Sequence, residues 1–272
     1  YTPKDSKNLF RGMTSLTNVD TANMDVSRTE IMKNMFRECS VLTDLNVSNW
    51  NTSNVADMTS MFSDCYKLVS VNVSEWNVGN VTNMNYAFFG CKSLTSLNVS
   101  KWNVSSVTEM YAMFYECSKL SDINVSGWEV DNVTTMFGMF DGCAAVQVLD
   151  VSNWNVINLK SANKLFNGCA ALTTLNMKSW NTLNLTDTGA MFGGCSSLET
   201  IFVGDGWNMS NVTASDGMFR GCTSLKGSNN TTLISDGEGN AIVDKTYARV
   251  DNAPEAPGYL TYKKYVPADP AT

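Results

Sequence analysis

Residues 42–65 read Leu-Thr-Asp-Leu-Asn-Val-Ser-Asn-Trp-Asn-Thr-Ser-Asn-Val-Ala-Asp-Met-Thr-Ser-Met-Phe-Ser-Asp-Cys, and two rhythms share the stretch. Leu45 and Val47 alternate with Asp44, Asn46 and Ser48, a two-residue period that turns one side of a short strand inward and the other toward water. Met58, Met61, Phe62 and Cys65 stand at i, i+3, i+4 and i+7, the spacing of one apolar stripe on a short helix. Asn54 with Asp57, and Ser106 with Glu109 further on, read as helix starts whose side chains satisfy free N–H groups. Gly90, Gly142, Gly168, Gly194 and Gly221 read as stops, each just before a cysteine, where a left-handed backbone releases the chain toward the next strand.

The stretch is one copy of a repeat. Cysteines fall at 39, 65, 91, 117, 143, 169, 195 and 222, six intervals of 26 and one of 27. Tryptophans follow eleven residues later, at Trp50, Trp76, Trp102, Trp128, Trp154 and Trp180, then Trp207 after a one-residue insertion near Gly204 to Gly206. Phenylalanine forms a third column from Phe10 through Phe36 and Phe62 to Phe192 and Phe219, which makes nine copies. The first is degenerate, with Met13 in the cysteine position and Met24 in the tryptophan position.

A strand and a short helix in every 26 residues, with the frame Leu-x-x-Leu-x-Val, predict an α/β leucine-rich-repeat solenoid. The expected architecture has one parallel β-sheet on the concave side, short helices on the convex side and a C-terminal cap. A right-handed β-helix has coils of similar length but gives no reason for the i, i+3, i+4, i+7 stripe. The solenoid is expected over 1–227 as about nine 26-residue units, a capping segment over 228–265 and a linker or tail over 266–272. Within the cap, Asp236-Gly-Glu-Gly-Asn reads as a turn between two short strands. Tyr1 enters partway through a unit, so the chain reads as a piece of a longer one.

The unit Met-Phe-x-x-Cys-x-x-Leu-x-x-Leu-Asn-Val-Ser-x-Trp-Asn resembles the BspA-type leucine-rich repeats of bacterial surface proteins, including a subset first catalogued in mycoplasmas as a domain of unknown function. The likeness runs from about Leu9 to Leu225, and Pro257-Gly-Tyr-Leu-Thr is similar to the closing piece of such arrays. It implies an exported or cell-surface bacterial protein with adhesive or host-interaction roles and no enzymatic activity. Ala162, Thr188 and Ser215 depart from the pattern by replacing the methionine equivalent to Met58.

Composition narrows the chemistry. With 19 Lys and Arg against 26 Asp and Glu the net charge is −7, and single, scattered lysines argue against nucleic acid, whose phosphates need clustered positive charge. No histidine is present, which removes the usual neutral-pH proton shuttle and the commonest metal ligand. No motif for a nucleophile or a phosphate loop appears, so catalytic, cofactor and metal sites are all expected to be none. The longest apolar run, Met110 to Tyr115, falls far short of the roughly 20 residues of a membrane-spanning helix. The cysteines read as a column of unpaired interior thiols, with disulfides between neighbouring coils as the alternative. Recurrent sequons such as Asn46-Val-Ser and Asn80-Val-Thr read as products of the repeat rather than glycan acceptors.

Function is sought on the strand positions that face away from the core. These are Asp44 and Asn46, Ser70 and Asn72, Ser96 and Asn98, Asp122 and Asn124, then Asp150, Asn176 and Phe202. Solenoids use such an extended face for binding, so the expected partner is a host or bacterial surface protein or a glycan, met by a monomer. A spacer that holds other domains away from the cell envelope is the alternative.

Overall fold

A computed structural model describes residues 2–21, 23–235, 241–251 and 255–264. The chain winds into stacked coils in phase with the repeat. A ladder of single parallel bridges ties equivalent residues of successive coils, from Asp5, Ile31, Asp57 and Asn83 through Glu109, Thr135 and Ser161 to Asp187 and Ala214. On another side of the stack lie the strands β1 (Asp44–Leu45), β2 (Ser70–Val71), β3 (Ser96–Leu97), β4 (Asp122–Ile123), β5 (Thr174–Met177) and β6 (Thr200–Val203). Strand β7 (Thr261–Tyr262) comes from the C-terminal segment and pairs with β6 in parallel, Phe202 opposite Thr261.

The expected single sheet is instead three short ones, β1-β2, β3-β4 and β5-β6-β7. The coil carrying Leu149 and Asp150 has no strand, which separates β4 from β5, and the asparagine after each of β1–β4 accounts for their two-residue length. Asn46 Oδ1 accepts from both the backbone N–H and the hydroxyl of Ser48, and Asn72, Asn98 and Asn124 do the same with Ser74, Ser100 and Ser126. Such a turn bends the backbone out of the strand after two residues. Where the serine hydroxyl is missing, as at Lys178 after Asn176, whose Oδ1 then accepts from the Lys178 N–H alone, or where Phe202 replaces the asparagine, the strands reach four residues.

The expected helices are absent: among the described residues the only helical segment is the short 3₁₀ turn Lys245–Tyr247. Residues 58–65 form a flat chain of turns. The N–H groups of Met58, Ser60, Phe62 and Asp64 donate to Asn83, Asn85, Ala87 and Phe89 of the next coil at 2.7–3.1 Å, while those of Met61, Ser63 and Cys65 donate back three residues. Left-handed backbone recurs four residues apart in each copy, as at Ser60 (φ 55) and Asp64 (φ 64), and Gly142 (φ 76) and Gly168 (φ 69) hold the second position elsewhere. The chain therefore returns to the core every three or four residues and reproduces a helical stripe with no helix. Packing excludes the helix as well. Rings of the phenylalanine column are 4.9–6.1 Å apart, whereas a helix with its side chains is about 10–12 Å across. That column is spaced no more widely than the tryptophans, at 6.1–6.5 Å, so nothing here fans the coils into the expected concave and convex sides. The residues read as helix starts instead clamp coils together: Asn54 Nδ2 donates to Ser27 O, Ser106 Oγ to Gly79 O, and Glu109 accepts from Asn83 and Asn85.

The columns fill the interior. Trp50 to Trp180, Phe36 to Phe219 and all eight cysteines are buried. Each thiol is free and donates to the carbonyl of the phenylalanine one coil back, as Cys91 does to Phe62 O at 3.2 Å. Trp76, Trp102, Trp128, Trp154 and Trp180 each donate Nε1–H to a carbonyl one coil back at 3.0–3.1 Å, so these indoles are polar-satisfied in the core. Trp50 faces the degenerate first copy, and its buried Nε1 has no partner.

Beyond Leu225 the chain folds over the last coil. Tyr259 is fully buried, meets Phe219 edge-on at 5.3 Å, accepts from Ile234 N–H and donates to Ile242 O. A single antiparallel bridge joins Ser235 and Ala241. The turn read at 236–240 lies outside the described residues, as does the tail 266–272.

Candidate functional site

The strand-face residues lie in one row. Asp44, Asn46, Ser70, Asn72, Ser96, Asn98, Asp122, Asn124 and Asp150 are exposed, and parallel register sets Asp44 beside Ser70 and Ser96 beside Asp122. Asn176 and Phe202 are only half-buried. Phe202, the one aromatic residue of the row, is engaged by the C-terminal segment: Lys263 Nζ lies 4.8 Å from its ring centroid, and β7 pairs along its strand. The outer end of the row is thus closed by the chain itself.

The serine turns also fix the amides. Each holds the Oδ1 of Asn46, Asn72, Asn98 or Asn124, so the side chain is oriented and Nδ2 remains as a positioned donor. The same geometry accounts for the repeated Asn-Val-Ser. In a second asparagine column, Nδ2 of Asn80, Asn132 and Asn211 already donates to a carbonyl one coil back at 2.7–2.8 Å. In those three sequons the nitrogen a glycan would take is committed to stacking.

The thiols offer no reactive group. Burial pushes every cysteine up, Cys117 to about 12, so each remains neutral at physiological pH. Among the described residues no cluster of three or more Cys, Asp or Glu could hold a metal ion, and no helix is long and apolar enough to cross a membrane.

One surface feature escapes the strand-face reading. On the turn side, Tyr86, Phe89, Tyr111, Tyr115 and Phe137 are partly exposed in three consecutive coils. Tyr111 stacks on Phe137 at 4.6 Å, Phe89 on Tyr115 at 4.9 Å, and Tyr86 leans on Tyr111 at 5.1 Å. Their columns are otherwise polar or small: Lys33, Thr59 and Asn85 precede Tyr111, and Arg37 and Ser63 precede Phe89. The signal was in the sequence, as aromatic residues confined to a few copies in columns that need none for packing.

A family model described as Mycoplasma protein of unknown function, DUF285, matches residues 4–122, 84–204 and 138–236, which together cover most of the chain. The chain belongs to this family. No curated protein matches it. Among solved structures, a chain of the TLR13–ssRNA13 complex is similar at 18% identity with a TM-score of 0.36, over 82% of this chain and 33% of that one. The family's description assigns no activity, so function has to be argued from the surface.

Proposed function

We propose that this DUF285 array is a non-enzymatic interaction module on the outside of a bacterial cell. It would be kin to the BspA-type surface repeats and would hold a host protein, a bacterial surface protein or a glycan on its strand face. The observation that carries the reading is the row of fixed amides: Asn46, Asn72, Asn98 and Asn124 present oriented Nδ2 donors at the spacing of the coils, beside the carboxylates of Asp44 and Asp122. Pre-ordered donors lower the cost of binding, because little side-chain freedom remains to be lost. Protein partners and glycans both supply the acceptors such a row needs.

A spacer is the second reading, favoured by the use of the same asparagines in turns that the fold itself requires. The two are separated by replacing Asn72 and Asn98 with aspartate, which keeps the Oδ1 acceptor and removes the donor. A module loses its partner, on an array of matrix proteins and glycans, with the melting temperature unchanged. A spacer gives no signal, or the same signal from both proteins.

A further inference from the structure

The aromatic ladder on the turn side ends abruptly. Tyr115 and Phe89 stack, and the next place in that column is Ser63, followed by Arg37. In the neighbouring column Tyr86 is followed by Ser60 and then Asn34. In these two columns the coil between Phe89 and Arg37 therefore carries only serine, and the residues on its two sides line a single groove with it. The gap is one stacking layer wide, since the filled layers of the same ladder repeat at 4.6–5.1 Å.

The groove has three unlike sides. One wall is Phe89 and Tyr86, edge-to-face at 5.8 Å and backed by Tyr111 and Tyr115. The opposite wall is Lys33 and Arg37. Arg37 Nε lies 3.1 Å from Glu38, while Lys33 makes no ion pair among the described residues. The floor is polar: Ser60, Ser63 and Thr59, with Asp64 beside them accepting from Ser63 and Tyr66 hydroxyls. An apolar wall with a few placed polar groups is the usual make-up of a small-ligand site.

We propose that this groove binds one carboxylated pyranose ring of an acidic glycan. The flat face of the sugar takes the missing layer against Phe89, its carboxylate meets Lys33 and Arg37, and its hydroxyls meet Ser60, Thr59 and Asp64. Charge selects this occupant over a polyanion or an acidic peptide. The cations sit on one wall only, Asp64 stands at the floor, and the chain as a whole carries −7, so one negative group per ring is favoured and a run of them is repelled. The site lies on the turn side and is independent of the strand-face row, although it rests on the same reading of the array as an interaction module.

Isothermal titration of the full chain with 3′-sialyllactose, a glucuronate-containing hyaluronan tetrasaccharide, lactose and a hepta-glutamate peptide tests the proposal. At least one carboxylated sugar should bind, with lactose at least tenfold weaker. Ser63→Phe fills the empty layer with the ring type its column already carries at Phe89, and should abolish binding while the protein melts as before. Lys33→Thr, which installs the residue found at Thr59, should weaken binding at least tenfold and keeps the test alive if Ser63→Phe fails to fold. The proposal is overturned if neither carboxylated sugar binds, if lactose binds equally well, if the peptide binds and the sugars do not, or if the variants bind like the parent. Failure of these variants to matter leaves the Asn72 and Asn98 result untouched, so the two readings fall separately.

Discussion

At the scale of single residues the interior follows directly from the columns in the sequence, because sulfur and ring side chains recurring at one phase can be buried only by one another. Trp128 shows what each position contributes. It is buried, stacks at 6.4 Å on both Trp102 and Trp154, and donates to Val99 O at 3.1 Å. Trp128→Ala should cost about 3–5 kcal/mol in urea unfolding, and because each coil touches only its neighbours the loss should also broaden the transition. Trp128→Phe, which keeps most of the ring but loses the N–H, should cost roughly 1–2 kcal/mol. The thiols give a second check. With burial raising every one of them, the native protein should resist alkylation at pH 8, and all eight should react once urea unfolds the chain. Rapid labelling of the folded protein would show the column to be open.

At the scale of elements the same sequence misleads, and the reason is geometric. Met58, Met61, Phe62 and Cys65 are all buried, as a helical stripe requires, yet they reach the core through linked turns with left-handed residues at Ser60 and Asp64. Spacing records how often the chain visits the core, not how it travels between visits. The missing information was the distance between coils, which a single unit does not contain. Far-UV circular dichroism should therefore lack the double minimum of helix, and a strong helical spectrum would refute the turn assignment. The turns also predict an asymmetry between copies. Gly168 has φ 69, and a Cβ there would lie 3.3 Å from the Gly142 backbone, so Gly168→Ala should cost about 1–2 kcal/mol in thermal melts. Glu116 holds the same place at φ 56, and among the described residues its carboxylate makes one ion pair, an exposed one with Lys92. Glu116→Gly should consequently change stability by less than about 1 kcal/mol, the relief of strain offsetting that pair.

At the scale of the whole molecule the sequence announces a stack of coils but says little about how the stack ends or where its surface departs from the repeat. The strand-face row was legible because it alternates with the core. The groove between Phe89 and Arg37 was legible only in part: the period sets Phe89, Ser63 and Arg37 in one column, but not which neighbouring columns join it at the surface as wall and floor. The C-terminal closure was legible only as a loss of period, and its central group is a carboxylate. Asp251 is buried, and that alone would push its pKa up. The hydroxyl of Thr231 and the backbone N–H groups of Thr231, Asn229 and Gly258 outweigh burial and hold it below the usual carboxylate range. A group whose pKa falls on folding stabilises the native state above its unfolded value, and that stability is lost as pH drops through the lower folded value. The cap should therefore loosen before the array as pH falls below about 4, the ordinary carboxylate value. Because β7 is the only described element paired with the outer edge of β6, the loosening should appear at that edge: amide hydrogen exchange should quicken first at Lys263, which donates to Val203 O, while Phe88 and Phe114 in the middle coils stay protected. Asp251→Asn keeps the shape but weakens the accepted bonds, and should produce the same edge opening at neutral pH. Uniform exchange along the stack at low pH would mean that the end and the middle unfold as one unit, and that Asp251 does not act as the latch.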